Sequence, residues 1–501
     1  MSKRAAKGYR VVLTADRTLM ADYKVLLDGM LAAAQTTMVP QVVMKTVLAP
    51  RLSGCNCAPM GLRRIEAALL AGRFKREEVA IVPPEGLVNA VGDETRIVGI
   101  SSGDPLGRGM NSTTMRGLTG RRTYTEVWFE RLTTRVRSLR QSNSKLRLVM
   151  GGPGAWQLAG DEPARRRLGV DHVVLGYCED EIAGLFGAIC DGTEPREVIE
   201  CTKRTVKPPT ILGPALMGVV EISRGCGMGC GFCTMAGEPM IHFPVEAIVE
   251  DARVNVRGGM RELSLIGEDV FRYGATRADS VNPQALKELL GRLRGIPGAG
   301  RIHVDHANIS SLARLSDRDL ADVHGLLVGD DDSCYLWVNL GVETLSPRLL
   351  AANCRAKIRP HDAEQWPELC LQQVRRLATT GFVPMVSLLM GLPGETEEDV
   401  AETLRWVEKL RGEHVTVFPM FLAATGPEMK SFTADDMTRT HWRLLRESYR
   451  LNFKWFPRLV WDNQKGAGAP LWRRLTVQGL GRTAIPLAKT MLAWKCGGRR
   501  A

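Results

Sequence analysis

The sequence lacks any run of about 18 consecutive apolar residues, the length that a helix needs to cross a bilayer. It also lacks the apolar core and small-residue cleavage site of a secretory signal, because a short basic stretch leads directly into "VVLT". Its twelve cysteines are scattered along 501 residues instead of forming a compact paired framework. We therefore expect a cytoplasmic protein, in which clustered thiols bind metal more readily than they form disulfides.

The N-terminal part of the chain alternates short apolar runs with helical stretches. Continuous apolar runs separated by helices are typical of a parallel sheet that is covered on both faces. The predicted strands are Arg10–Thr14, Glu78–Val82, Arg96–Ser101, Leu146–Gly152 and His172–Gly176. We predict a doubly wound, flavodoxin-like domain over residues 8–192, followed by a linker rich in proline and charge over residues 193–214.

A second alternating series predicts a partial (β/α)6 TIM-type barrel over residues 215–425, so the chain belongs to the α/β class. The six predicted strands begin at Val219, Glu262, Arg301, Tyr335, Val383 and Val415. In barrels of this type the reactive groups lie at the carboxyl ends of the strands. Residues 426–501 are predicted to form a helical extension.

Three cysteines lie directly after the first strand of this second series, in "SRGCGMGCGFC". Cys226, Cys230 and Cys233 have the spacing C-x3-C-x2-C. Three thiolates can hold three corners of a cubane cluster and leave the fourth iron open, whereas a closed zinc site needs a fourth ligand. The nearest candidate, His242, is nine residues further on and fits the usual ligand spacing poorly. We predict that the three cysteines are metal ligands.

This motif, with the aromatic Phe232 before its last cysteine, resembles that of the radical SAM superfamily. The resemblance implies a 4Fe-4S cluster whose open iron binds S-adenosyl-L-methionine. It also implies a flavodoxin- or ferredoxin-type reductant, whose electron cleaves that molecule to a 5'-deoxyadenosyl radical. Further segments resemble the family's contacts to the methionine amino group, the ribose and the adenine. The cosubstrate-binding residues implied in this way are Phe232, Gly267, Glu268, Glu343, Gly391 and Pro393.

A doubly wound domain in front of such a barrel resembles the class of radical SAM enzymes whose N-terminal domain binds cobalamin. The contacts implied for the cobalt cofactor are Ser101, Ser102, Gly151, Gly152, Gly154 and Gly176. The D-x-H-x-x-G motif that would supply a histidine to the cobalt is missing, because Asp16 is followed by no histidine. A domain that binds another nucleotide, or no ligand, is the alternative.

The resemblance implies a cobalamin-dependent C-methyltransferase that methylates an unactivated carbon of a substrate, for which a lipid-like molecule is one option. A cyclase or rearranging enzyme with the same cofactors is an alternative, and so is an iron-sulfur or cobalamin-binding sensor. A methylthiotransferase is disfavoured, because the N-terminal domain lacks an additional cysteine cluster. The candidates for contact with the substrate are His303, Asp305, His306 and Tyr273, with burial as structural polar groups as the alternative.

The last 71 residues carry fourteen Lys and Arg against four Asp and Glu, a net charge of +10 within a chain total of +12. They also contain five of the ten tryptophans. Between Trp442 and Phe456, aromatic and leucine side chains recur at helical spacing beside a row of cations. Such a helix can pack its aromatic stripe on the barrel, lie on a membrane surface or, least favoured, contact nucleic acid.

Overall fold

The computed structural model describes residues 7–23, 26–50, 56–202, 205–235, 237–329, 336–426 and 428–498. The chain forms two compact units. The first comprises Met1–Tyr23, Asp28–Gly218 and Glu250–Met260, and the second comprises Lys24–Leu27, Val219–Val249 and Arg261–Ala501.

The first unit contains a six-stranded parallel sheet in the order β2-β1-β3-β4-β5-β6. Its strands are β1 (Val11–Ala15), β2 (Val79–Ile81), β3 (Ile97–Ser101), β4 (Arg147–Gly151), β5 (His172–Leu175) and β6 (Val198–Glu200). The five predicted strands are observed within one residue at each end. Strand β6 differs from the prediction, since it lies in the segment interpreted as a linker. It is a half-exposed edge strand of three residues, too short to leave an apolar run in the sequence.

Helices cover both faces of this sheet. They are α1 (Leu26–Ala33), α2 (Gln41–Val43), α3 (Met60–Ala71), α4 (Leu87–Ala90), α5 (Met110–Thr119), α6 (Tyr124–Arg140), α7 (Ala155–Ala159), α8 (Glu162–Leu168) and α9 (Ile182–Cys190). Successive strand residues enter opposite cores: Val12 packs in the cluster that contains Phe129 of α6, and Val11 in the cluster that contains Phe186 of α9. This arrangement explains why β1, β3 and β4 are mostly apolar instead of alternating between apolar and polar residues.

The second unit contains parallel strands that follow one another in chain order. They are β7 (Val219–Glu221), β10 (Leu263–Ile266), β11 (Ile302–Val304), β12 (His306–Ala307), β13 (Leu336–Glu343), β14 (Phe382–Met390) and β15 (Thr416–Phe421), with β8 (Ser223–Arg224) and β9 (Ile241–His242) forming a small antiparallel pair. The pairing gives the orders β11-β10-β7 and β12-β13-β14-β15. Only Asp305 separates β11 from β12. The six predicted strands are found at these positions, although Tyr335 lies outside the described residues.

The helices of the second part of the chain are α10 (Val245–Arg257), α11 (Pro283–Arg294), α12 (Ile309–Leu312), α13 (Asp317–Val328), α14 (Pro347–Cys354), α15 (Trp366–Thr380), α16 (Glu397–Lys409), α17 (Arg439–Gly466) and α18 (Leu471–Gly498). No helix in the described part of the chain is long and apolar enough to cross a membrane. The aromatic stripe of α17 packs inward, since Trp442 and Leu445 are buried and Phe456 contacts Phe418 of β15 with ring centroids 5.8 Å apart.

Candidate functional site

The cysteine loop leaves β8 at the carboxyl end of the first strand of the second unit. The backbone amide of Cys226 donates to the Glu238 carbonyl at 2.9 Å. The Arg272 guanidinium donates to the Cys226 carbonyl at 3.0 Å. Gly225 has a φ of +78°, and a Cβ there would lie 2.3 Å from the Pro239 carbonyl oxygen, so only glycine fits this turn. These contacts fix the start of the loop.

The three thiols of the loop have overlapping sets of charged neighbours. Burial raises the pKa of Cys226 to about 11, although Arg272 and Lys357 act in the opposite direction. Burial also raises the pKa of Cys233, and Glu268 acts in the same direction on both Cys226 and Cys233. A hydrogen bond from Cys354 lowers the pKa of Cys230 to about 7, and Lys357 contributes to this shift. The loop therefore faces one mixed cluster of cations and carboxylates.

The donor chemistry of this loop fits an iron-sulfur cluster. Soft thiolates are the ligands that such clusters require, and nearby cations favour the deprotonated sulfur. Among the described residues, however, no group of three His, Cys, Asp or Glu side chains is arranged to hold a metal ion. The Cys230 thiol is paired with Cys354, in α14. Convergence of the three predicted ligands on one cluster is therefore a proposal.

The segment after β10 places Gly267 and Glu268 at the same end of the parallel strands. A Cβ at Gly267 would lie 2.5 Å from the Ser223 hydroxyl oxygen, which is buried without a hydrogen-bond partner. The Glu268 side chain is accessible to solvent. Desolvation by the surrounding protein raises the pKa of Glu268, and the negative charge of Asp305 adds to this shift. The positive charge of His306 acts in the opposite direction. Glu268 is therefore a carboxylate placed close to a histidine-aspartate pair.

Asp305 and His306 form that pair at the break between β11 and β12. The His306 Nδ1 lies 2.9 Å from the Asp305 carboxylate, and half of the His306 side chain is exposed. The second Asp305 oxygen accepts a hydrogen bond from the Asn339 side chain of β13 at 3.1 Å. Because Asp305 occupies Nδ1, the Nε2 edge of the ring is the one available for a ligand or a proton.

Replacing Asp305 with asparagine is expected to lower the pKa of His306. Partial desolvation by the surrounding protein lowers this pKa, but the Asp305 carboxylate, helped by Glu268, outweighs that effect and raises the value to about 9; Lys357 opposes the increase. Without the Asp305 charge, the pKa should fall toward the ordinary ~6.5 of a histidine. NMR titration of the histidine ring protons measures this change. Asp362→Asn, beside His361, should leave His306 unchanged, and an equal effect of both substitutions would contradict the assignment.

At the end of β13, Glu343 forms a buried ion pair with Lys357. Glu343 is 8% exposed and Lys357 is 9% exposed, and the lysine ammonium donates to the Glu343 carboxylate. Glu343 has a left-handed backbone, with a φ of +67°, which costs a non-glycine residue on the order of 1 kcal/mol. Strained residues of this kind cluster at functional sites, and Glu343 lies at the strand end where the candidate site is located.

The segment after β14 is attached to the cysteine loop through one residue, by its side chain on one side and its backbone on the other. The Asn353 amide of α14 donates to the Pro393 carbonyl at 3.1 Å, and the Asn353 carbonyl accepts from the Gly231 amide at 3.1 Å. Gly391 has a φ of +87°, and a Cβ there would lie 2.4 Å from the Phe432 ring. Asn353 thus connects two segments that the sequence predicted to contact the same cosubstrate.

Asp399 stabilises this segment, and the stabilisation should be lost in acid. Burial alone raises the pKa of Asp399, but hydrogen bonds from Ser346, Thr396 and Arg348 lower it to about 2. Since this value lies below the ~3.9 of an unfolded chain, the contribution is present above about pH 4 and is lost as the pH falls toward 2.

We expect Asp399→Asn to lower the free energy of unfolding of the second unit by about 2 kcal/mol at neutral pH. The difference from the wild type should shrink steadily below about pH 4. Urea titrations at several pH values measure both effects. The matched control is Asp317→Asn, since the Asp317 side chain is 93% exposed. A constant difference across the acid range would refute this account.

Two candidate substrate contacts lie in buried structural pairs. The His303 Nε2 is 2.6 Å from the Glu262 carboxylate, and both side chains are buried. The Tyr273 hydroxyl donates to the Phe243 carbonyl at 2.8 Å, and burial raises the pKa of Tyr273 to about 12. The structure therefore brings Asp305 and His306 together with Glu268, whereas the Nε2 atom of His303 and the hydroxyl of Tyr273 are held by other protein groups. The His303 Nδ1 atom is buried without a hydrogen-bond partner.

Sequence reasoning did not identify Lys357, Asn353 or Cys354 as part of the site. All three lie on or just after α14, far along the chain from the cysteine loop whose groups they contact or influence by charge. No motif in the sequence marks them. The one feature of the sequence that could have indicated Asn353, Cys354 and Lys357 is that they follow soon after Glu343, at the end of β13.

In the first unit, the candidate cofactor contacts lie at the carboxyl ends of neighbouring strands. Ser101 of β3 pairs with Gly151 of β4, and the Gly154 amide donates to the Ser102 carbonyl at 2.9 Å. A Cβ at Gly152 would lie 2.6 Å from the Ser101 hydroxyl oxygen. At Gly176 it would lie 2.3 Å from the Cys201 carbonyl. The protein's own packing thus requires glycine at both positions.

Two buried polar atoms at this edge have no hydrogen-bond partner. They are the Ser102 hydroxyl and one carboxylate oxygen of Asp16, which directly follows β1. Burial raises the pKa of Asp16 to about 6, although hydrogen bonds from Thr18 oppose the shift. β1 and β3 flank the point where the strand order reverses, the usual ligand position in doubly wound sheets. Unsatisfied buried polar groups there fit a polar ligand such as a nucleotide-like tail.

Residues 220–407 match the family described as the Radical SAM superfamily, and the chain therefore carries a radical SAM domain. The curated relatives include the ribosomal protein uS12 methylthiotransferase RimO of Pelobacter propionicus, 28% identical over 248 residues, which are 48% of this chain and 51% of that protein. Another is the tRNA-2-methylthio-N(6)-dimethylallyladenosine synthase of Roseobacter denitrificans, 26% identical over 60% of this chain and 64% of that protein. The chain spans about half the length of the curated relatives it matches.

Among solved structures, the radical S-adenosylmethionine methyltransferase TsrM from Kitasatospora setae is similar to this chain. One structure, with a tryptophan substrate and a SAM analog bound, aligns with a TM-score of 0.53 at 16% identity, over 82% of this chain and 73% of that one. A second, with cobalamin and a [4Fe-4S] cluster bound, aligns with a TM-score of 0.52 over 83% of this chain and 72% of that one. At this identity the similarity concerns the fold.

Proposed function

We propose that this chain is a cobalamin-dependent radical SAM enzyme that transfers a methyl group to an unactivated carbon of its substrate. The observation that carries the proposal is the three-thiol loop at the carboxyl end of β7 and β8, the first strands of the radical SAM domain. The doubly wound sheet that precedes it supports the choice of cobalamin as the second cofactor. The fold similarity to TsrM, which spans most of the chain, supports the same choice.

In this proposal the chain's own residues bind and orient the cofactors. Cys226, Cys230 and Cys233 would hold the cluster, while Arg272 fixes the loop through the Cys226 carbonyl. When bound, the cluster and cobalamin would supply the electron for cleavage of S-adenosyl-L-methionine and a carrier for the methyl group. Glu268 has an accessible carboxylate suited to the cosubstrate's amino group.

The role of Glu343 is less direct, because its carboxylate is held by Lys357. For Glu343 to contact the ribose, its carboxylate must accept a hydrogen bond from a ribose hydroxyl in addition to the one from Lys357. His306, oriented by Asp305, is the candidate proton carrier of the site. In the first unit, Ser102 and Asp16 have unpaired atoms that a polar cofactor tail could satisfy.

Methylthio transfer is the second candidate, because the curated relatives carry that activity in their names. Against it, the cysteines of the first unit are not grouped in the sequence into a further three-cysteine motif like that of Cys226, Cys230 and Cys233. A methylthiotransferase with an additional N-terminal cluster would hold about eight iron atoms per chain, whereas the proposed enzyme would hold about four.

The test is anaerobic reconstitution with iron, sulfide and hydroxocobalamin, followed by measurement of the three contents on the same sample. We expect one four-iron cluster and one cobalamin per chain. Incubation with methyl-labelled S-adenosyl-L-methionine and a reductant should then label the bound cobalamin. Chains that bind a cluster but no cobalamin would exclude the proposal. A second cluster without cobalamin would favour methylthio transfer.

A further inference from the structure

Helix α18 packs one face against α17. On that face Leu492 is 4% exposed, and the Cys496 thiol donates to the Trp442 carbonyl at 3.4 Å. The Arg474 guanidinium carbon lies 4.9 Å from the ring centroid of Trp461, and the Lys495 ammonium lies 5.6 Å from that of Trp442. These contacts fix which side of the helix faces the protein.

The opposite face of α18 exposes large apolar side chains. Of the eleven exposed large hydrophobic residues in the described part of the chain, six lie on this one helix: Leu471, Trp472, Leu475, Leu480, Leu487 and Trp494. The two tryptophans are 59% and 67% exposed and mark the two ends of this outer face, about 33 Å apart at the rise of an α-helix. Such concentration of exposed apolar surface is unusual for a water-facing helix.

The charges of α18 have one sign. It contains five cations, Arg473, Arg474, Arg482, Lys489 and Lys495, and no Asp or Glu between Leu471 and Gly498. Arg482 and Lys489 are exposed, at the edge of the apolar face. An exposed face that carries tryptophan and leucine, on a helix whose only charges are cations, is the composition of helices that lie in the interface of an anionic membrane.

We propose that the outer face of α18 docks on an anionic lipid surface, with the helix in the membrane plane. The helix is not apolar enough to cross a bilayer. A second copy of the chain is a poorer occupant, because a symmetric contact through this face would bring Arg482 and Lys489 near their own copies. Nucleic acid is also a poorer occupant, because an exposed face built from leucine and tryptophan offers phosphates few partners. This inference is independent of the proposed function.

The experiment is co-sedimentation of the full chain with vesicles of phosphatidylcholine mixed with phosphatidylglycerol, compared with vesicles of phosphatidylcholine alone. We expect binding to the anionic vesicles at low salt, weaker binding as salt increases, and a blue shift of tryptophan emission on binding. The double variant Trp472→Ala with Trp494→Ala should bind at least about tenfold more weakly. Arg482→Gln with Lys489→Gln should lose about fivefold for each cation.

The matched control is Leu212→Ala, in the first unit, because Leu212 and Leu475 are equally exposed at 56%. This variant should bind vesicles as the wild type does, whereas Leu475→Ala should weaken binding. Unchanged circular dichroism would show that the variants remain folded. Failure to bind anionic vesicles at low salt, or equal binding to both vesicle types, would overturn the proposal. A dimer that the tryptophan variants dissociate, without vesicle binding, would assign the face to a second copy.

Discussion

Replacement of Cys226, Cys230 and Cys233 together by alanine is expected to remove iron binding completely. The three thiols are the donors that a cluster at this loop would use, and no other side chain in the motif can replace them. Reconstituted protein should lose its visible absorption, and cleavage of S-adenosyl-L-methionine should fall to background. Cobalamin content should not change, because its proposed contacts lie at Ser102 and Gly151, outside the loop.

The control separates loss of the cluster from loss of the fold. Cys178, Cys190 and Cys496 are partly buried, as Cys226 is, but lie outside the motif. Their combined replacement by alanine should leave iron content and cosubstrate cleavage near wild type. Since small changes at partly buried sites cost only about 1 kcal/mol each, both variants should fold. Iron retained in the motif variant, with activity, would refute the assignment of the cluster ligands.

The substitution Lys357→Met should cause the second large effect, on stability. It leaves the Glu343 carboxylate, which is 8% exposed, without its cation. Removing one partner of a buried ion pair costs about 3–5 kcal/mol, because the remaining charge is neither solvated nor paired. The left-handed backbone of Glu343 adds strain that the pair helps to hold. Urea unfolding at neutral pH measures the loss.

Two further variants decide whether the pair itself is responsible. The double variant Glu343→Gln with Lys357→Met should be more stable than Lys357→Met alone, since no unpaired buried charge remains. Lys287→Met removes a lysine whose ammonium lies 2.9 Å from Asp319, with both side chains about one-quarter exposed. That change should cost about 1 kcal/mol or less. Equal losses at Lys357 and Lys287 would contradict a special role for the buried pair.

The positions of the main strands could be read from the sequence because most of their residues are apolar and buried, in short runs separated by helical stretches. Val11 and Val12, for example, point to opposite faces of the sheet, and each is buried in the hydrophobic core on its own side. Strand β6 was missed because an edge strand needs little apolar surface. The packing of the α17 stripe was one of three sequence-level options, and only the contacts of Trp442 and Phe456 distinguish them.

The chemistry of the candidate site depends both on local sequence spacing and on the tertiary structure. Local spacing determined the cysteine loop, since three thiols within eight residues need no distant partner to be recognised. Only the tertiary structure decided that His303 lies in a buried pair with Glu262 while His306 remains half exposed beside Asp305. The break at Asp305 interrupts the strand alternation that would have related the two histidines.

The sequence by itself determined the α/β class, the positions of the main strands along the chain, the three-thiol loop and the excess of cations near the C-terminus. These features can be recognised from the spacing and periodicity of residues that are close to one another in the sequence. The tertiary structure alone decided that Lys357 pairs with Glu343, that Asn353 joins two loops, and that α18 turns its tryptophans outward. Such contacts depend on how distant strands and helices bring their ends together, and hydrophobic patterning does not encode that geometry residue by residue.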